Sequence, residues 1–403
     1  MSYDLTKHID ASALKIFAER VRDKFVSKDK FFYMLTHIDN WSDIQTAVRM
    51  GLAPLLFPVG YEFTMPDSDT GNTLTWVVRG HDHHKAADES LKHTMTLELK
   101  NLYSDANGSY KQLIFDSREA FYYCSQPLSA GTYNFTWDYA TEKLVNGTYQ
   151  FTLTQPVPAG GQIYLNTIGA TNAITGCTIS TYADIGAAEV VESDIIVTEG
   201  SEGTDLGTIS IHSRSSENLN CGQRAVFGSN NYAQSAVRQW LNSASAAGAV
   251  WKPQTKFNRA PSWSNTFKGF MHGLPADFLE SVQPAIIPCY TTGNFEIESL
   301  DGTEFTTNQV YNLTDKFFLL SRPELYGTWD STTYKDGEQI EYYKDMTSTE
   351  LIKYDQAGTA RGAMLRSPAS SFSGYERSVT SLGSLGQMNA YANGGVAPAC
   401  IIA

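Results

Sequence analysis

Apolar residues recur along this chain with changing rhythms. Over residues 10–26, Leu14, Phe17, Val21 and Phe25 fall at steps of three, four and four. That spacing predicts a helix with one apolar stripe, leaving Glu19, Arg20, Arg22 and Asp23 off it. A helix this short needs a surface to pack on. Two surfaces stay open: its own chain, or a partner, as a stem joining subunits or docking on another protein. A second helical stretch is predicted at Trp41–Met50 and ends before Pro54 and Pro58. From Gly60-Tyr61-Glu62-Phe63-Thr64 the rhythm shortens to two, with strand-like segments at Thr73–Val78 and Thr94–Leu97. The motif Gly131-Thr132-Tyr133-Asn134-Phe135-Thr136 returns as Gly147-Thr148-Tyr149-Gln150-Phe151-Thr152. Alternating Tyr and Phe give each copy one apolar face, so the pair is read as two strands. The intervening turn contains Asn146-Gly147, a hairpin signal. Helices are predicted at Asn231–Ser243, with Val237, Trp240 and Leu241 on one face, and at Pro275–Val282, with Pro in the first turn.

These elements predict an α+β chain in three parts. Residues 1–51 form a helical segment for oligomerisation or attachment, and 52–190 a β-rich scaffold, either sandwich or barrel. Residues 191–403 form a domain of short helices, short strands and long ordered loops. The acidic, Gly-rich stretch Thr198–Gly207 is read as a boundary or exposed loop. A chain of 403 residues exceeds one typical core, in keeping with this division.

The last forty residues break the rhythm. Two frames, Leu365-Arg366-Ser367-Pro368 and Gly395-Val396-Ala397-Pro398-Ala399, enclose small, polar and aromatic residues with no steady period. The enclosed stretch, Ala369 to Gly394, is read as exposed surface pinned at both ends, the usual home of binding residues. Gly383, Gly386, Gly394 and Gly395 are read as turn glycines permitting positive φ.

Composition narrows the function classes. Net charge is −13 and Lys and Arg do not cluster, which argues against nucleic-acid binding. No basic region followed by an apolar stretch opens the chain, and no run reaches eighteen apolar residues, so neither signal peptide nor membrane insertion is expected. Cys124, Cys177, Cys221, Cys289 and Cys400 lie far apart without zinc-site spacing and are read as reduced, mostly buried thiols. Trp240, Trp251, Trp263 and Trp329 are read as anchors of cores or loop bases. His81, His83, His84 and His93, with Asp82, invite a metal reading. Their hydrophilic setting favours a structural polar loop, so neither metal nor cofactor is expected. No GxSxG, HExxH or phosphate-binding Gly loop occurs.

A family resemblance runs through Phe227-Gly228-Ser229-Asn230-Asn231-Tyr232, Arg238-Gln239-Trp240-Leu241-Asn242-Ser243 and Lys256-Phe257-Asn258-Arg259-Ala260-Pro261. It continues through Gly269-Phe270, Asp277-Phe278-Leu279, Phe318-Leu319-Leu320-Ser321-Arg322 and the two C-terminal frames. Together these resemble the C-type-lectin-like (formylglycine-generating-enzyme-type) domains of phage and prophage proteins. Some such proteins are the variable proteins of diversity-generating retroelements, whose C-terminal repeat is rewritten to change ligand choice. The resemblance implies a receptor-binding protein of a tail or fibre, located on the virion. Its partners would be a bacterial surface receptor, protein or glycan, other virion proteins, and copies of itself, for example in a trimer.

By position against the motif, Leu365, Arg366, Pro368, Gly395 and Pro398 would be scaffold. The displayed residues would be Ala363, Met364, Ala369, Phe372, Tyr375, Arg377, Ser378, Thr380, Gly386, Met388, Asn389, Tyr391 and Asn393. Relatives often carry aromatic residues where this chain has Ala363 and Met364. The alternative is a structural virion protein, of decoration or baseplate type, without diversified binding. Enzymes of the resembled fold use a cysteine or copper–thiolate site. Cys221, Cys289 and Cys400 form no paired motif, so no enzyme activity and no catalytic residue is expected.

Overall fold

The computed structural model describes residues 38–117, 228–252, 260–261, 263–292, 308–370 and 374–403. Between these it describes strands and short links within 121–181, and strands at 204–209, 297–298 and 304–305. The helix expected over 10–26 lies outside the described residues, as do Cys124, Cys221 and Phe372.

Helix α1 (Trp41–Arg49) forms as its pattern predicts. Asn40 Oδ1 accepts from the Asp43 amide at 3.0 Å, and Trp41, Ile44, Ala47 and Val48 face inward. Gly51, at φ +70°, lets the chain leave the helix in the left-handed conformation. Pro54 then opens the short α2 (Ala53–Leu56).

The main sheet holds β1 (Glu62–Pro66), β2 (Thr73–His81), β4 (Met95–Leu99), β24 (Ala399–Ile402) and β12 (Val282–Gln283), in that order and antiparallel throughout. β17 (Phe317–Phe318) also pairs β24. Edge strand β1 alternates exposed and buried residues, whereas β4 and β24 are buried at every position. The unbroken apolar run Ala399-Cys400-Ile401-Ile402 therefore reads as a strand covered on both faces.

Residues from 38–115 and from 232–403 contribute to one hydrophobic core, in which Trp76, Trp240, Phe270, Phe278 and Phe317 make tilted and edge-on ring contacts. Residues from each of the three expected parts contribute to this core. A strand near the end of the chain sits against strands near the start of the described part, and pairing over that separation leaves no local signal.

A second sheet joins β3 (Lys85–Ala86), β13 (Ala285–Thr292) and β16 (Asn308–Asp315). The intervening region carries β6 (Phe121–Tyr123), β9 (Gly161–Ile168) and β10 (Ala173–Thr181) in one sheet. β7 (Gly131–Trp137), β8 (Gly147–Leu153) and β11 (Thr204–Ile209) form another. The repeated motif forms the β7–β8 hairpin, with Tyr133 opposite Phe151 and Phe135 opposite Tyr149. Gly147, however, pairs with Trp137 inside the ladder, so Asn146-Gly147 is not the hairpin tip. β11 runs parallel to β7, which places 204–207 in a sheet.

The helix expected at 231–243 is split. A 3-10 turn at Tyr232–Gln234 precedes α3 (Ala236–Leu241), because the buried Ser235 adopts an extended backbone and its Oγ accepts from the Arg238 amide at 3.2 Å. α4 (Ala276–Ser281) begins after Pro275, which caps the helix rather than occupying its first turn. Short ribbons β14 (Ile297–Glu298)–β15 (Glu304–Phe305) and β18 (Lys353–Tyr354)–β19 (Ala360–Arg361) complete the loops.

The C-terminal stretch departs most from expectation. β20 (Ala363–Pro368), β21 (Tyr375–Val379) and β22 (Leu385–Asn389) form an antiparallel sheet, and β23 (Asn393–Gly394) pairs β5 (Leu113–Ile114). Among the described residues the chain is sheet-rich with few, short helices, and none is long and apolar enough to cross a membrane.

Candidate ligand-binding site

Both frames are locked in the interior, as the sequence predicts: Leu365, Arg366, Pro368, Gly395 and Pro398 are all buried. Arg366 is the hub. Its five N–H groups are all engaged, Nε with Pro288 O, one terminal nitrogen with Leu319 O and Glu324 Oε2, the other with Asp336 O and Glu324 Oε1. Glu324 lies in the first turn of α5 (Arg322–Tyr326) and also accepts from the Ser321 amide in a reciprocal cap. His84 Nε2 donates to Glu324 Oε1 at 3.0 Å, while its Nδ1 meets Thr96 Oγ1 at 3.0 Å.

The histidine loop is therefore built into the fold. Potential ligand atoms of His83, His84 and Glu324 lie within 4.8 Å of one another. Yet the guanidinium of Arg366 already supplies the positive charge a metal would bring, and both nitrogens of His84 are in use. Burial favours the neutral acid at Glu324, but Arg366 and His84 outweigh it and hold the carboxyl well below its usual range. Burial, then His84, pushes His83 down to about 4, with Arg366 adding to the effect against Glu324. Burial pushes Asp336 up to about 6, although Arg366 opposes it and Ser367 Oγ bonds its carboxylate.

The register of β21 and β22 sorts the expected display residues by face. Tyr375 lies opposite Asn389 and Arg377 opposite Gln387, and these pairs alternate with Glu376–Met388 and Ser378–Gly386. Tyr375, Arg377 and Asn389 thus share a partly exposed outer face, with Thr380, Tyr391 and Asn393 at its ends. Gly386 and Met388 lie on the inner face; Met388 packs against the core. Ala363, Met364, Ala369 and Ser378, expected to be displayed, are buried instead. A strand alternates its side chains, so about half of any framed stretch must turn inward once the stretch becomes sheet. Gly383 has φ +77° as a turn residue, but Gly386, Gly394 and Gly395 do not adopt positive φ. At Gly395 a Cβ would strike Leu102 and sit 2.9 Å from Gly362 O, so close approach is the requirement there.

The outer face has neighbours that sequence reasoning missed. Arg377 Nε donates to both Asp330 oxygens, at 2.8 and 3.0 Å, and one terminal nitrogen reaches Gln387 Oε1 at 3.2 Å. Arg322 meets the same Asp330 carboxylate at 3.0 Å. Tyr334 stacks on Tyr290 with ring centroids 5.6 Å apart, and Lys335 Nζ lies 4.4 Å from the Trp329 ring centre. Trp329 Nε1 donates to Gly337 O, anchoring its loop as read from the sequence, and Trp240 and Trp263 are core residues. Arg377 is thus held by Asp330 rather than standing alone as a ligand contact. Asp330 lies far away in sequence, and no local pattern announces it.

Glu376 was passed over although it lies between two expected display residues. The alternation of Tyr375, Glu376 and Arg377 was the available signal: a strand showing Tyr and Arg outward must turn the acid inward. Cys289 and Cys400 are buried, and burial pushes the Cys289 thiol up to about 12, which agrees with inert thiols.

No curated protein and no solved structure matches the chain. Residues 206–403, which carry this face, match the family described as a domain of unknown function (DUF6273).

Proposed function

We propose that the C-terminal part of the chain is a ligand-binding module of C-type-lectin-like type, carried on a phage or prophage tail or fibre, that recognises a bacterial surface receptor. The observation that carries this reading is the contrast between the buried frames around Arg366 and the partly exposed β21–β22 face strung between them. A rigid support beneath a presented surface lowers the ordering cost of binding. Tyr375, Asn389 and Tyr391 offer aromatic area and amide hydrogen bonding, and Arg377, oriented by Asp330, offers a fixed guanidinium edge.

Such a shallow face binds weakly as a single copy. Several copies on one fibre, for example a trimer, raise avidity without new contacts. The experiment is host-cell adsorption by the purified protein and by Tyr375→Ala, Asn389→Ala and Tyr391→Ala. Loss of adsorption with unchanged melting temperature supports the reading. Full adsorption by all three, or a defect only in particle assembly, sinks it in favour of a structural virion protein.

A further inference from the structure

We infer that Glu376 on β21 and Asp116, just after β5, hold a hard divalent cation of the Ca2+ class. Glu376 is 0% exposed, and neither carboxylate oxygen has a hydrogen-bond partner among the described residues. Asp116 is also 0% exposed. Three segments converge around the pair. The Asp116 amide donates to Ala390 O at 2.9 Å, just past β22, and Asp116 Oδ2 accepts from the Ser229 amide at 2.8 Å. Asn230 Nδ2 donates to Tyr375 O at 3.0 Å, the carbonyl of the peptide leading into Glu376.

Charge and satisfaction both point to a cation rather than a proton. Glu376 and Asp116 are both fully buried and of the same sign when ionised. A single proton would neutralise one of the two carboxylates and leave the other charged. A divalent ion would engage both oxygens and balance two carboxylates at once. Hard cations take about six to eight oxygen ligands from carboxylates and amide or backbone carbonyls. The fully buried Asn230 brings an amide of that kind to the same place. An ion there would fasten the inner side of β21 to the chain at 116 and 228–230, and so set the position of the outer face.

The test uses the full-length protein, stripped with EDTA and returned to buffer with or without Ca2+, Mg2+ or Mn2+. One of these ions, with Ca2+ foremost, should raise the wild-type melting temperature by about 5 °C. Elemental analysis after dialysis should find the ion retained. Glu376→Gln should lose both the ion and the shift, and Asp116→Asn serves as the second variant should the first fold poorly. The proposal fails if stripped wild type neither retains an ion nor changes its melting temperature. It fails equally if Glu376→Gln retains as much ion as wild type, which would move binding elsewhere, such as the His83–His84–Glu324 group.

Discussion

Glu324 and Glu376 are both buried glutamates within the C-terminal half, yet their surroundings are opposite. Glu324 accepts from Arg366, His84 and the Ser321 amide, and its carboxyl is held in the charged form. Glu376 meets no donor among the described residues and faces the like charge of Asp116. A saturated network of this kind specifies structure, because each member fixes the geometry of the next. An unsatisfied carboxylate in the same interior marks a place where the chain alone is incomplete.

The largest effect should come from breaking the saturated side. Arg366→Met leaves Glu324 buried without its main partner and should cost about 3–5 kcal/mol in urea unfolding. The double variant Arg366→Met with Glu324→Leu should recover much of that loss; no recovery would mean that Arg366 acts through its backbone carbonyl contacts instead. On the unsatisfied side the sign should reverse. In EDTA, Glu376→Gln should be more stable than wild type by about 1–2 kcal/mol, whereas Glu324→Gln should be less stable. Equal destabilisation by both would erase the contrast.

Two titrations flank the Arg366 network and slope in opposite directions. Asp336, raised from 3.8 to about 6, contributes fully below its unfolded range and loses that contribution as pH rises through 6. His83, lowered from 6.5 to about 4, contributes fully above its unfolded range and loses that contribution as pH falls through 4. Between pH 4 and 6 the two oppose each other in wild type. Asp336→Asn should then make stability rise with pH across this window, and His83→Phe should make it fall, each by up to ~1.4 kcal/mol per pH unit. Unchanged slopes measured by denaturation at several pH values would refute both assignments. The smallest effect is expected on the outer face, where Tyr391→Ala should change unfolding free energy by less than about 0.5 kcal/mol. A larger loss would show that this tyrosine belongs to the packing rather than to the presented surface.

Local pattern was a sound guide where neighbours in sequence decide the outcome. Trp41–Arg49 forms a helix because its apolar residues and its Asn40 cap lie within one short segment. The repeated Gly-Thr-Tyr motif forms paired strands because alternation alone sorts its faces. The buried frames at 365–368 and 395–398 were legible as constant brackets around an irregular stretch. The irregular stretch itself reads as exposed surface yet folds as strands, because Tyr375 and Arg377 alternate with Glu376 and Ser378, polar residues that do not advertise burial.

By itself the sequence determined the short-range elements and the position of two frames around an irregular C-terminal stretch. Tertiary structure alone decided which half of that region turns outward, that β24 inserts beside β4, and that Asp330 holds Arg377. It also decided that Asp116, Ser229 and Asn230 gather beside β21 and the end of β22. The physical reason is the range of the forces involved: capping, turn strain and side-chain alternation act over a few residues and leave a mark in composition. Sheet pairing and buried charge act between segments that only folding brings together, and their free energy depends on the partner, which the local sequence does not name.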